Sequence, residues 1–227
     1  AVDPLGRPPL KPFDDVARLI SGVGRIFKTL APQLFGLYED MNALGLLDLA
    51  SRKGKAPGGY QNTLSEARKP FIFMNAVGID DDVRTLLHES GHAFHAYLCA
   101  HDPLELYRHA PMEFCEVASM GMELMASDGL SEFYDDESAR RSNLEHLEGV
   151  ISTLAWVATV DAFQHWIYEN PGHSRLERRQ AWLRCHAEFS GGVTDWSGLD
   201  EELAYAWHRQ LHIFEVPFYY IEYGIAQ

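Results

Sequence analysis

Residues 88–92, with the sequence His-Glu-Ser-Gly-His, constrain the fold of this chain more than any other segment. Residues four apart lie on one face of an α-helix, so His88 and His92 can offer two imidazole nitrogens to one metal ion if the segment is helical. The flanks agree with a helix, because three aspartates precede an apolar run and no glycine or proline interrupts residues 93–98. The pattern predicts a helix of about twenty residues that carries a metal site.

This His-Glu-x-x-His arrangement is typical of zinc peptidases. Glu89 directly follows the first predicted ligand, where a carboxylate can reach water at the metal without being a ligand itself. The alternative is a chance match in a metal-free helical protein, because the chain contains 11 histidines and 33 acidic residues. The helical context of the motif favours the metal site over that alternative.

A catalytic zinc ion usually takes three protein ligands. One extended form of the motif places the third ligand six residues after the second histidine, but Leu98 occupies that position here. His95 lies about one turn beyond His92 and is more simply interpreted as a packed histidine than as a ligand. The other common ligand is a glutamate from a second helix, for which the candidates are Glu105, Glu113, Glu116 and Glu123.

Three of these glutamates fall on one stripe of a helix predicted to begin near Pro111. The stripe contains Glu113, Glu116, Met120 and Glu123, and its neighbours are small or apolar on nearly all sides. A solvated acidic face is the alternative, but such surroundings favour a buried helix, and buried carboxylates need a cation or hydrogen-bond donors. We therefore predict Glu116, more than one turn into the helix, as the third ligand. We predict that Glu123 accepts a hydrogen bond from a ligand histidine.

The composition bears on domain number, on possible partners and on the cellular compartment. The 227 residues, 46% of them hydrophobic, can form one domain or two small ones. The formal net charge of −14 argues against nucleic acid or an anionic membrane as a partner, because phosphates would be repelled. No apolar run is long enough to span a bilayer, and the first nine residues lack the order of a signal peptide. Three widely spaced cysteines favour a reduced, cytoplasmic protein.

The hydrophobic pattern predicts a mainly α fold with a small sheet beside the motif helix. Residues 14–49 are predicted to be helical, with a kink or break at Pro32. Residues 71–77 are the best strand candidate, and residues 58–63 could pair with them as a hairpin. Beyond the motif helix, further helices are predicted at residues 111–127, 136–170, 174–190, 199–210 and 217–226.

Taken together, these segments closely resemble the oligoendopeptidase F branch of the thimet oligopeptidase family. The resemblance spans most of residues 50–223 and is carried by several separate motifs. They are residues 52–60, residues 69–75, residues 88–95, Pro111, residues 116–119, Glu123, His212 and residues 217–223.

The resemblance implies a zincin-like pair of active-site helices in the C-terminal catalytic part of a helical oligopeptidase fold. It also implies a zinc endopeptidase that cleaves short peptides in a deep channel, with one Zn²⁺ per chain held by His88, His92 and Glu116. Family members are typically much longer, so residues 1–227 are expected to be a single catalytic-domain fragment without the N-terminal half. A metal-binding or interaction module without turnover is therefore the alternative function, and the oligomeric state is left open.

Further roles follow from the same expectation. Glu89 would be the general base. His212 and one of the tyrosines Tyr219, Tyr220 and Tyr223 would donate to the developing oxyanion, although core packing is an equal alternative for any single tyrosine. The predicted strand 71–77 would bind substrate along a sheet edge. A serine hydrolase is disfavoured, because the chain contains no Gly-x-Ser-x-Gly motif, and a cysteine hydrolase is disfavoured, because Cys99 and Cys115 lie in apolar helical runs where thiols are usually inert.

Overall fold

The computed structural model describes Asp3 and residues 5–227. Ala1, Val2 and Pro4, on which part of the N-terminal expectation falls, lie outside the described residues. The chain forms two compact units, Ala1–His146 and Leu147–Gln227. Helices dominate both units, and the described residues contain one three-stranded sheet, which confirms the mainly α prediction. In the described part of the chain, no helix has the length and apolar character needed to cross a bilayer.

The first unit contains the sheet and the motif helix. Its elements are α1 (Val16–Leu30), α2 (Pro32–Ala43), β1 (Leu47–Ala50), β2 (Tyr60–Leu64), β3 (Lys69–Ala76), α3 (Asp80–Cys99), α4 (Val117–Met125) and the start of α5 (Asp136–Glu169). Short 3-10 turns lie at Glu105–Arg108, Met112–Phe114 and Ser127–Glu132.

The break predicted at Pro32 is present. Asp15 caps α1 by accepting a hydrogen bond from the Arg18 N–H at 2.7 Å, and α1 ends at Leu30. Pro32 then opens α2, where its missing N–H costs nothing. The prediction that helix continues to residue 49 is wrong. Gly45, at φ 70°, ends the helical path, and residues 47–50 become β1.

Strand β3 is the centre of the sheet, whose order is β1-β3-β2. It pairs with β1 in parallel and with β2 in an antiparallel hairpin, in which Gln61 faces Ile72. Burial alternates along β3, so one side of this strand packs into the core. The hairpin confirms the predicted pairing. Ile72 and Phe73 are paired on both sides, so the expected free edge for substrate is wrong at these two residues; the pairing with β2 ends at Phe73.

Helix α3 has 20 residues, as the motif predicted, and passes through the main core. Leu86, Leu87 and Phe94 are buried there against side chains of α1 and α2. The Asp82 carboxylate fixes the start of α3, because one of its oxygens accepts the backbone N–H groups of residues 77, 78 and 79 at 2.7–3.0 Å. These three residues directly follow β3, so the carboxylate joins the central strand to the motif helix.

The helix predicted at 111–127 begins later than expected. Residues 112–114 form a 3-10 turn, and the N–H groups of Phe114 and Cys115 bond carbonyls three residues earlier. α4 starts only at Val117, with Glu116 as its cap residue rather than as a residue inside the helix. The Met120 N–H bonds the Glu116 carbonyl, which marks the first turn of α4.

The second unit packs around large aromatic side chains. It contains the end of α5, α6 (Arg175–Phe189), α7 (Asp200–Ala204), a 3-10 turn at Ala206–Arg209, α8 (His212–Glu215) and α9 (Ile221–Ala226). The Trp182 and Phe163 rings meet edge to face at 5.2 Å, and Trp207 lies beside Phe163. The Trp182 indole donates to the Leu203 carbonyl.

Two helices predicted in this unit are shorter than expected. The segment 199–210 is split at Tyr205, after which a 3-10 turn carries Trp207 into the core. The segment 217–226 is helical only from Ile221, because Phe218 takes a left-handed backbone conformation at φ 64°. In both places, side-chain packing overrides the helical spacing of the sequence.

Candidate metal centre

The structure brings His88, His92 and Glu116 together. The His88 and His92 side chains lie one turn apart on α3, and their Nε2 atoms are 3.2 Å and 3.4 Å from the Glu116 Oε2 atom. One potential ligand atom from each residue lies within 4.8 Å of the others. Among the described residues, this is the group of histidine and acidic side chains that could hold a metal ion.

The spacing of these atoms suits zinc. Atoms held about 2.0–2.1 Å from a tetrahedral zinc ion lie about 3.3 Å from one another. The two nitrogen-to-oxygen distances at Glu116 match that separation, and both are longer than a strong charged hydrogen bond of about 2.8 Å. Two imidazoles and one carboxylate are also a donor set that zinc commonly takes at catalytic sites.

A hydrogen bond from Ser119 and burial hold the Glu116 side chain in place. It is only 3% exposed, and the Ser119 hydroxyl contacts both its carbonyl oxygen, at 3.0 Å, and its Oε2 atom, at 2.9 Å. Because Glu116 caps α4 rather than lying within it, the start of α4 places the carboxylate against α3. The prediction that Glu116 lies beside both histidines agrees with the structure, but the prediction that it lies more than one turn into a helix is wrong.

Glu123 lies on the other side of His88. Its Oε1 atom is 2.6 Å from His88 Nδ1, so the two ring nitrogens of His88 face two different carboxylates. The remaining oxygen of Glu123 is 3.6 Å from the Nδ1 atom of His146, at the start of α5. Arg84, one turn before His88, is buried, and its Nη2 atom donates to Ser142 and Asn143. The sequence did not single out Arg84, His146 or Ser119.

The acidic surroundings favour positive charge at His88. Burial lowers the pKa of this imidazole, but hydrogen bonds to Glu116 and Glu123 outweigh burial and raise the pKa to about 10. A histidine that prefers to be cationic marks a place where the surrounding carboxylates attract a cation. A metal ion and a proton compete for such a site, because a ligand imidazole must be neutral.

Glu89 is buried beside the histidines and lies outside the group of three. It is 7% exposed, and burial raises the pKa of its carboxyl group, an effect that the neighbouring His88 and His92 partly oppose. The backbone N–H of Gln61 in β2 donates a hydrogen bond to it. The contact places the Glu89 carboxylate between the motif helix and the hairpin.

The other candidate ligands are not brought to the site. His95 is half-buried, and burial lowers its pKa. Glu105 and Glu113 are exposed, and both lie in 3-10 turns. None of these three belongs to the His88–His92–Glu116 group.

The residues predicted as oxyanion donors form a cluster within the second unit. The His212 ring lies 5.0–6.2 Å from the rings of Tyr219, Tyr220 and Tyr223. His212 Nε2 is 3.2 Å from the Tyr223 hydroxyl. Burial raises the pKa of Tyr220, and a hydrogen bond from Trp156 partly offsets that effect. The catalytic role of these residues stays a prediction.

Comparison with known proteins places this geometry in a family. The model of peptidase family M3 matches residues 33–227. Oligoendopeptidase F of Lactococcus lactis subsp. cremoris is 25% identical over 180 residues, which are 78% of this chain and 30% of that protein. Oligopeptidase PepF of Bacillus subtilis is 26% identical over 188 residues, which are 80% of this chain and 26% of that protein.

Solved structures agree. A structure of PZ peptidase A with an inhibitor has a TM-score of 0.90 and 34% identity, covering 96% of this chain and 38% of the other. A structure assigned to oligoendopeptidase F has a TM-score of 0.87 and 32% identity, with the same coverage. The chain thus spans between 26% and 38% of the length of these relatives. It belongs to peptidase family M3, and its similarity within that family is to the oligoendopeptidase F branch, as the motifs predicted.

Proposed function

We propose that this chain is the metal-binding catalytic part of a zinc endopeptidase that hydrolyses short peptides. The convergence of His88, His92 and Glu116 within 4.8 Å, with the buried Glu89 carboxylate beside them, is the observation that carries the proposal. Residues 1–227 would then act as one catalytic-domain fragment of a longer architecture. Membership of peptidase family M3 supports peptides as the substrate class.

The three ligand side chains would hold one Zn²⁺ ion. Bound there, zinc supplies a Lewis acid that polarises the scissile carbonyl and makes water more acidic. Ser119 keeps the Glu116 carboxylate turned toward the histidines. Glu123 fixes the His88 ring by occupying its Nδ1 side, which leaves Nε2 for the metal.

Glu89 would accept a proton from the attacking water and deliver it to the leaving amine. A carboxyl group suited to both steps needs a pKa above that of an exposed glutamate, and burial shifts Glu89 in that direction. The backbone N–H of Gln61 opposes part of that shift, because it favours the charged form of the carboxyl group.

The outer edge of β2 would bind the substrate in extended form. Among the described strands, β2 lies at the end of the sheet and pairs on one side only, with β3, so its other edge is unpaired. Gln61 of β2 contacts Glu89, so a peptide added along this edge would pass the general base. One of the tyrosines Tyr219, Tyr220 and Tyr223, supported by His212, would donate a hydrogen bond to the oxyanion.

Replacing Glu89 tests the proposal most directly. We expect Glu89→Gln to bind zinc with the wild-type stoichiometry and to lose activity on an internally quenched peptide by about a thousandfold, because only the general base is removed. Glu113→Gln, an exposed glutamate, is the matched control and should keep full activity.

Zinc content is measured by elemental analysis, and turnover is measured with and without a chelator. Full peptidase activity in Glu89→Gln would remove this residue from its proposed role. A wild-type chain that binds one zinc ion but cleaves no peptide would instead support the alternative of a metal-binding module without turnover.

A further inference from the structure

The cluster around His212 contains a directed chain of hydrogen bonds. The Trp156 Nε1 atom lies 2.9 Å from Gln210 Oε1, and Gln210 Nε2 lies 2.6 Å from His212 Nδ1. His212 Nε2 in turn lies 3.2 Å from the Tyr223 hydroxyl. All four side chains belong to the second unit, and each of these contacts is partly shielded from water.

The direction of the chain follows from its first member. An indole N–H can only donate, so the Gln210 atom that faces Trp156 must be the amide oxygen. The amide NH₂ group therefore points at His212 and can only donate to Nδ1. A nitrogen that accepts a hydrogen bond carries no proton, so a neutral His212 must carry its proton on Nε2.

Packing holds the first member of this chain. The Trp156 ring meets the Trp182 ring edge to face at 5.5 Å, and the Arg209 guanidinium lies 4.6 Å from the Trp156 ring centroid. The Trp156 indole also hydrogen-bonds the Tyr220 hydroxyl, which can accept from it without changing the donor role of the indole. The orientation of the Gln210 amide is thus set by a ring that has little freedom to turn.

We propose that Gln210 is a positioning residue that fixes the tautomer of His212, with the proton on Nε2 and the Nδ1 lone pair facing the amide. In this tautomer, His212 donates to the Tyr223 oxygen. The Tyr223 hydroxyl hydrogen is then directed at another acceptor rather than at His212. One consequence for catalysis rests on the proposed function: because His212 donates its N–H to the Tyr223 oxygen, the Tyr223 hydroxyl hydrogen stays available to an oxyanion, and His212 acts through Tyr223.

Nuclear magnetic resonance tests the tautomer without any need for activity. Long-range proton–nitrogen correlation distinguishes protonated from unprotonated ring nitrogens, and the signals of His212 are assigned by their loss in His212→Asn. In the wild-type chain we expect a protonated Nε2 and an unprotonated Nδ1. In Gln210→Glu the carboxylate can only accept, so we expect a proton on Nδ1. In Gln210→Met neither form is favoured by the neighbour, so we expect a mixture.

Gln180→Glu makes the same chemical change at an exposed position of the same unit and should leave the His212 signals unchanged. Circular dichroism and the melting temperature check that each variant folds. The proposal is overturned if the wild-type Nδ1 is protonated, or if Gln210→Glu and Gln210→Met both show the wild-type pattern.

Peptidase activity gives a separate readout. If the proposed function holds, Gln210→Glu should lower kcat on the order of a hundredfold with little change in KM, because an oxyanion donor is misdirected. A wild-type chain without turnover contradicts the proposed function, while the resonance experiment still decides the role of Gln210.

Discussion

Glu123 lies one hydrogen bond away from the candidate metal ligands. It contacts His88 at the ring nitrogen opposite the one that faces Glu116, so it fixes both the rotation and the tautomer of that ring. The Nδ1 atom of His146 in α5 lies 3.6 Å from the same carboxylate, and Arg84 ties α5 to the motif helix by donating to Ser142 and Asn143. The orientation of His88 thus depends on residues that would never touch the metal.

We expect Glu123→Ala to weaken zinc binding by about tenfold to a hundredfold, because His88 would lose the partner that directs Nε2 toward the metal. Competition with a chromogenic zinc chelator measures the change in Kd. Glu113→Ala, in which an exposed carboxylate outside the group is removed, is the matched control. Equal zinc affinity in Glu123→Ala and wild type would contradict this role.

Single residues differ in how far the sequence could predict them. The spacing of the glutamates after the motif was enough to select Glu116 and Glu123 as partners of the histidines. Three residues were not predicted: Ser119, His146 and Arg84. Nothing in their local sequence shows that Ser119 meets Glu116, that His146 meets Glu123 or that Arg84 bonds residues of α5. Their contacts arise from packing between α3, α4 and α5.

At the scale of elements, the site depends on the close approach of α3 and α4. Gly91 is buried at their crossing, where an added Cβ atom would lie 2.5 Å from the Ala118 carbonyl oxygen and 2.6 Å from the Ser119 Cα atom. Both obstacles are backbone atoms, which cannot rotate away as a side chain could. The glycine between the two histidines therefore sets the distance from which Glu116 reaches them.

We expect Gly91→Ala to lower the free energy of unfolding by about 1–3 kcal/mol and to weaken zinc binding, because α4 must shift away from α3. Gly121→Ala is the control within α4, since nothing lies within 4 Å of its added Cβ. That substitution should leave zinc affinity unchanged and stabilise the fold by up to about 1 kcal/mol. Urea unfolding and chelator competition measure both quantities. A Gly91→Ala variant with wild-type stability and zinc affinity would show that the two helices are not in tight contact.

Elements with a strong periodic pattern were predicted well, as α3 and the hairpin show. The starts of α4 and α9 were wrong by several residues, since a 3-10 turn or a left-handed residue precedes each helix. The sequence also could not show that β3 lies in the middle of the sheet, because β1 was taken for helix. Sheet order decides which strand offers a free edge, so the expected substrate strand changed with it.

At the scale of the whole molecule, the net charge of −14 acts on an approaching peptide before any contact forms. A negative net charge attracts cationic ligands and raises their association rate, and it repels anionic ligands and lowers theirs. Salt screens both effects. This charge belongs to the sequence and does not depend on how the two units are arranged.

We expect the activity to favour a peptide with lysines at its ends over the same peptide with glutamates at its ends. The ratio of the two kcat/KM values should fall toward one as salt rises from about 10 mM to about 500 mM, because the Debye length then falls to a few ångströms. Steady-state kinetics on both peptides measures the ratio. A ratio that does not change with salt would show that local contacts, rather than the overall field, set the preference.

The sequence by itself determined the motif helix, the identity of the three converging side chains and the acidic character of the chain. These are local or compositional properties: helical periodicity puts His88 and His92 on one face, and charge is a sum over residues. Only the tertiary structure decided that Glu116 caps α4, that Gly91 lets α4 approach, and that Gln210 faces His212. Such contacts depend on how separate segments pack, and the spacing of residues along one segment does not show which other segment will pack against it.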